Sequence, residues 1–437
     1  MSVASLTARA TPLVMACVAV GGCARIVGAD FDGLVPPSGA PAADAGAGTG
    51  AGRDAGPRAD AEPEEDNLYG TRLPAPAADS VYFGLAVALD GDVAAVGGGD
   101  ADWVGSVHIA RRPTPGWWLV QDAPLTAGED RARGTAFGAH VALSGRDLLV
   151  GAPGYGTGTP AGAAYLFHDS ETAWDRRQKL TAPTPAPMDR FGQYVALEGE
   201  LALVSAPGSS FDATVLGALH VYRRGRGDTY VHAQTIDNPA AAGGDAFGEA
   251  FTLSGDTLVV TSSGDDERAE NAGAAYVYTL RDGAFILDQK LMPSAADPHW
   301  HKMGWGTVGV GDGVIVVPAL GSVEGGYVYA YSRDDSGRYV EEPLDPPPGT
   351  TPTTGFGWRA AIEGRTLILA VRQADRSHAL IYRREDGRWR FDRKFWADAD
   401  SPDQFGYYLA FDGATAAVSA VRDVRNAGTV WFFDVPP

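Results

Sequence analysis

The sequence predicts an all-β fold, a seven-bladed β-propeller of four-stranded antiparallel blades closed by pairing of an N-terminal strand with the C-terminal blade. Three observations predict it. A Phe-Gly pair recurs every fifty-odd residues, short apolar segments separated by Gly-rich turns fill each interval, and no interval shows helical period over a useful length. The pairs are Phe83-Gly84, Phe137-Gly138, Phe191-Gly192, Phe247-Gly248, Phe356-Gly357 and Phe405-Gly406, with Met303-Gly304 in the same place of a degenerate unit. Successive steps are 54, 54, 56, 56, 53 and 49 residues, regular enough to mark a repeat architecture.

Every unit has the same internal order. An apolar segment follows Phe-Gly, as in VALSG (141–145) or FTLSG (251–255), and a tight polar turn leads to a second, LLVGAP or LVVTSS. A connection of variable length precedes a third segment, GAAYLF (162–167), GALHVY (217–222) or GAAYVY (273–278). A Gly- and Asp-containing turn such as RDGA (281–284) then gives the fourth, FILDQKL (285–291). Segments of four to seven residues rich in Val, Tyr and Leu, punctuated by Gly turns, are strands joined by hairpins. Four such strands in each of seven units make a propeller.

An open ring would leave exposed strand edges. The last unit, beginning at Phe405, stops after its third strand. The missing fourth is LYGTRLPAP (68–76), ahead of the first Phe-Gly; Leu73 precedes Phe83 by 10 residues, as Phe395 precedes Phe405. The N-terminal strand is therefore expected to complete the last blade.

The two ends of the chain differ in kind. Arg9 and a short apolar run, Pro12 to Val20, followed by small residues, have the form of a secretory signal peptide, and the run is too short for a spanning helix. The stretch VGGC resembles the lipobox of bacterial lipoproteins, which implies a signal peptide over 1–22, lipid attachment at Cys23, and, with Ala24 next, the outer membrane. The 34–66 stretch is dominated by Ala, Gly, Pro and Asp and cannot bury enough surface to offset its ordering entropy. Residues 23–66 are thus expected to form a disordered tether whose last 33 residues or so span roughly 30 Å, and residues 67–437 the propeller.

With Phe-Gly entering the first strand, GAP at Gly151-Ala152-Pro153 (SAP at 205–207) ending the second and GAAYVY in the third, the repeats resemble the FG-GAP family. These are the propeller repeats of integrin α subunits and many bacterial surface proteins. The resemblance implies binding of a protein or polysaccharide through loops on one face. A non-catalytic role for a monomer at the cell surface or in the periplasm is expected. Many FG-GAP repeats carry a calcium loop between the first and second strands. Here that connection is only LDGDV (89–93), LEGEL (197–201) or LSGDT (253–257), too few carboxylates for six to eight oxygen ligands, so no metal site and no cofactor is expected.

Charge and motifs narrow the function. A net charge of −20 repels polyphosphate and disfavours nucleic acid. Cys17 and Cys23 are the only cysteines, so the propeller has neither disulfides nor thiolate-bound metal. GWGTVG (304–309) has the dinucleotide spacing but precedes a strand instead of a helix, and RGD (226–228) falls in a hairpin turn. No nucleophile elbow, zinc-protease helix or phosphate loop is present, which leaves a carbohydrate-active hydrolase or lyase at the channel mouth as the rival reading and a structural envelope component as the third.

The Phe of each Phe-Gly is expected to pack between blades, with Gly allowing close backbone approach. Ligand contacts are expected on the variable loops between second and third strands, which share a face with the blade-to-blade connections. The candidates there are Asp102, Trp103, Tyr155, Phe211, Asp265 and Asp266. Trp300 joins them from the stretch DPHWHKMGWG, where it stands with His299, His301 and Trp305.

Overall fold

The computed structural model describes residues 70–76, 82–114, 117–120, 123–154, 161–208, 216–240, 244–294, 301–320, 326–347, 356–372, 377–397, 404–421 and 428–437. The signal-peptide, tether and Cys23 expectations lie outside these residues, as do Tyr155, Phe211, His299 and Trp300.

Seven four-stranded antiparallel sheets follow one another along the chain. Blade 2 shows the pattern: His140–Ser144 innermost, then Asp147–Ala152, Ala163–Asp169 and Trp174–Leu180 outermost. Second strands such as DLLVGA and TLILAV are buried at every position, because neighbouring blades cover both their faces. The outermost strands carry the charge, as in WDRRQKL, most of whose residues are exposed or half-buried. Each innermost strand packs on the next, and that of blade 7 (Phe405–Phe411) packs on that of blade 1 (Ala86–Asp90). The ring is therefore closed.

Closure uses the N-terminal strand. Thr71–Pro74 is the outer strand of blade 7, antiparallel to Thr429–Asp434, with Leu73 opposite Val430. Pro74, which has no N–H to give a ladder, sits where it is tolerated, on an edge strand.

The motif residues are explained by contacts between blades. The Phe-Gly rings of Phe83, Phe137, Phe191, Phe247 and Phe405, and the Met303 side chain, are at most 1% exposed. Phe356 alone is half-buried. The Gly of GAP, Gly151, lies against the Phe-Gly glycine of the following blade: a Cβ on it would stand 2.1 Å from the Gly192 carbonyl oxygen. In blade 4 the equivalent residue is Thr261, and there its hydroxyl donates to the Gly304 carbonyl at 2.8 Å.

In blades 1 to 6 the first and second strands are joined by two-residue turns such as Gly145-Arg146, flanked by the pair Ser144 and Asp147. Gly145 has φ 58°, the positive angle that a Gly-first hairpin turn requires. Such a turn has no length to wrap a cation. The RGD stretch is the turn before the outer strand of blade 3, where Asp228 pairs with Arg224 at 3.5 Å.

One device was not anticipated. Gln178 on the outer strand of blade 2 bonds both backbone groups of Tyr230 on blade 3, at 2.8 and 2.7 Å. Gln234 does the same to Phe285, and Gln289 to Tyr339, so blades 2 to 5 are clamped in series at their rims.

Candidate functional site

The two residues that follow each Phe-Gly lie at or just before the innermost strands, at the end of the ring where the Phe-Gly turns lie. In chain order they are Leu85-Ala86, Ala139-His140, Gln193-Tyr194, Glu249-Ala250, Trp305-Gly306, Trp358-Arg359 and Tyr407-Tyr408. The scaffold repeats; this column does not.

Side chains of the column meet across the ring axis. Tyr408 of blade 7 hydrogen-bonds His140 of blade 2, skipping blade 1, and their rings lie 5.5 Å apart. His140 is also 4.8 Å from the Tyr194 ring of blade 3. Arg359 of blade 6 lies over the Tyr408 ring at 5.3 Å and donates from Nε to the Tyr407 carbonyl at 3.1 Å. Contacts between blades 7 and 2, and 6 and 7, converge on the channel mouth.

Protonation follows from burial. Desolvation, and after it the Arg359 charge, holds His140 down at about 3, so the ring is neutral. The Val195 N–H donates to Nδ1 at 3.4 Å, which assigns the single ring proton to Nε2 and makes the Tyr408 oxygen its acceptor. The Tyr408 hydroxyl hydrogen is left for another acceptor. Glu249, 8% exposed, is pushed up to about 7 by burial, against the pull of the Ser263 hydroxyl bond and the charges of Lys302, Arg190 and Arg359.

That shift has a measurable sign. Between pH 4.5 and about 7 the folded protein holds a proton on Glu249 that the unfolded chain has released, so stability falls as pH rises through this window. Relative to Glu249→Gln, which keeps an acceptor for Ser263, the wild type is expected to lose about 3 kcal/mol across it. Urea unfolding of both proteins on either side of the window checks this; parallel pH profiles would contradict it.

Beside the column stands Arg372, at the end of the second strand of blade 6. Its guanidinium lies 4.3 Å from the centre of the Trp358 ring. Burial lowers its pKa, and the Arg359 charge acts in the same direction. On blade 5, Lys302 Nζ lies 4.7 Å over the Trp305 ring.

The loop candidates have other settings. Asp102 is exposed and pairs with Arg133 at 3.3 Å. Trp103 is 7% exposed and stacks on Tyr82 at 4.9 Å. Asp265, 2% exposed, is held by Lys290 Nζ at 2.7 Å and the Tyr276 hydroxyl at 2.7 Å, while exposed Asp266 accepts the Asn271 N–H at 2.7 Å. These four lie on blades 1 and 4, three blades apart. His301 is buried, bonded to the Tyr329 hydroxyl at 3.0 Å and stacked on Tyr327 at 4.4 Å.

Sequence reasoning missed the column itself: His140, Tyr194, Glu249, Trp358, Arg359 and Tyr408, with Arg372 beside it. The signal was available, because aligning the seven Phe-Gly pairs exposes two positions that change from Leu and Ala to Glu, His, Arg and Trp.

The architecture defines a seven-bladed β-propeller closed by its N-terminal strand, with a polar and aromatic channel mouth. The FG-GAP repeat family model matches residues 119–167, 174–222 and 234–278, which run from the outer strand of blade 1 to the third strand of blade 4. No curated protein sequence matches the chain. Among solved structures, a candidate 6-phosphogluconolactonase from Bacteroides fragilis is similar at 10% identity and TM-score 0.50, over 72% of this chain and 85% of its own. The β-propeller domain of the Trilobed protease from Pyrococcus furiosus is similar at 9% identity and TM-score 0.41, over 78% and 91%. A protein from Lactobacillus plantarum is similar at 14% identity and TM-score 0.46, over 76% and 92%. At these identities the first likeness speaks to the fold alone.

Proposed function

We propose that the protein is a non-catalytic recognition module of the cell envelope, carried on a lipidated Cys23, that binds a polysaccharide or protein through the face bearing the Phe-Gly turns. The channel mouth is the centre of that face. The observation that carries this reading is the convergence of unlike side chains, His140, Tyr194, Glu249, Arg359 and Tyr408, from five blades of an otherwise repetitive scaffold. Rigid scaffolds concentrate binding at such variable, convergent positions.

The protonation states support binding over chemistry. His140 near 3 is a poor base at neutral pH, and burial raises the Tyr408 phenol further from ionisation. Glu249 alone among the axial contacts titrates near neutrality, and it is the group a carbohydrate-active enzyme would use here.

The test is calorimetric titration of the full chain in mild detergent against a panel of polysaccharides and purified surface proteins, with every bound glycan checked for cleavage. Saturable binding without turnover, weakened by Trp305→Ala, is expected. Turnover abolished by Glu249→Gln would replace this reading with the enzymatic one, and no binding to any probe would favour a structural role.

A further inference from the structure

Three donors at the channel mouth lack an acceptor. Arg359 Nη1, Arg372 Nε and Trp358 Nε1 are all buried and have no hydrogen-bond partner among the described residues. They form one cluster: Trp358 and Arg359 are consecutive, Arg359 lies opposite Ala370 in the ladder, the Trp358 backbone N–H donates to the Ala370 carbonyl at 2.8 Å, and Arg372 stacks on Trp358. The other orphaned buried groups among the described residues, Trp174, Tyr278, Trp389 and Trp431, are single neutral groups on four different blades.

Arg359 is 8% exposed, and neither it nor Arg372 has an ion pair among the described residues. Glu249 is the acid whose field reaches Arg359, but its carboxylate is bonded by Ser263. A buried guanidinium without a counter-charge is costly, and here the Arg359 charge also acts against that of Arg372. Guanidinium and indole groups donate only; none of the three can bond another. Their complement must be an acceptor with negative charge, and an arginine fork suits the two oxygens of a carboxylate.

The surroundings narrow the ligand. A net charge of −20 over the whole protein penalises each added negative charge on a ligand, so short oligomers with at most one carboxylate per sugar unit suit this site better than longer or more highly charged polyanions. Half-buried Trp305, Trp358 and Tyr194 provide flat apolar faces beside the donors. We infer that the mouth, lined by Trp358, Arg359 and Arg372, binds the carboxylate of an acidic sugar unit in a polysaccharide. This rests on the reading of that face as a ligand-binding one.

The test uses the full chain in mild detergent and oligosaccharides of galacturonate, alginate and hyaluronan, each beside its neutral methyl ester, with sodium sulfate as a bare anion. At least one acidic oligomer is expected to bind, and its ester to bind roughly tenfold or more weaker. Arg372→Gln should weaken the acidic oligomer by a similar factor and leave the ester unchanged. Its ligand-free melting temperature should equal or exceed that of the wild type, because an unpaired buried charge has gone. Arg359→Gln is the second variant, with the same expectation for binding. A clear fall in melting temperature for Arg372→Gln would make these donors structural and overturn the inference. Equal binding of acid and ester would overturn it while leaving recognition of a glycan standing. Sulfate binding as tightly as every oligomer would reduce the site to a bare-anion site, and no binding of any oligomer or ester would overturn the acidic-sugar site and the glycan arm of the proposed function together.

Discussion

A chain lacking residues Thr71–Pro74 is expected to melt well below the full-length protein and to self-associate. The strand supplies a four-residue ladder to Thr429–Asp434 and buries Leu73, which is 5% exposed. At about 1 kcal/mol per net hydrogen bond and about 2 kcal/mol for a buried Leu, the loss is roughly 4–6 kcal/mol. Arg72, over the Trp431 ring at 6.0 Å, goes with it. The newly exposed edge would read TVWFFD, an apolar strand with free backbone groups, which is a template for pairing with other chains. Calorimetry and light scattering read both effects; an unchanged melting temperature would contradict closure by this strand.

Gly428→Ala is the second large effect. Gly428 immediately precedes the third strand of blade 7 and has φ +82°, and a Cβ there would stand 2.0 Å from the Phe83 carbonyl oxygen of blade 1. The same contact recurs between Gly105 and Phe137, Gly162 and Phe191, and Gly273 and Met303, so this is the seam that joins last blade to first. The clash is with backbone and cannot be relieved by a rotamer change, and a loss of about 4 kcal/mol is expected. Gly91→Ala is the control. It shares the positive φ, at +56°, but nothing lies within 4 Å, so only about 1 kcal/mol should be lost. Equal losses for the two substitutions would show that the seam adds nothing beyond backbone strain.

Much of this fold is legible in the sequence because a propeller repeats one local instruction. Spacing identified Leu73 as part of the missing strand of blade 7, and turn chemistry placed the hairpins at Gly145-Arg146 and Asp282-Gly283. The inter-blade role of the Phe-Gly pairs followed from their regularity. The glutamine clamps were harder to see. Gln178 and Gln234 each stand 13 residues before the next Phe-Gly, but the partner of each lies on another blade about fifty residues away.

The site was less legible, for a related reason. Glu249 or Arg359 taken alone is one charged residue at the start of one strand; its place on the axis is a property of the closed ring. The loop GDDERAEN reads as exposed and acidic, yet Asp265 is captured by Tyr276 and Lys290, which are register partners on the third and outer strands of the same blade. Local composition cannot show a contact made by strands that come later in the chain. Aligning repeats can show a column, and here the column, more than the loops, carries the unpaired chemistry.

Ligand is expected to bind at the channel mouth. Hydrogen exchange of the full chain, with and without the tightest binder from the glycan and protein panel, tests it most directly. Protection is expected at residues 137–140, 191–194, 247–250, 356–360 and 405–408, with the hairpin turns at 91–92, 145–146, 199–200 and 255–256 unchanged. Protection at those turns, with the Phe-Gly segments unaffected, would place the ligand on the other face and contradict the account.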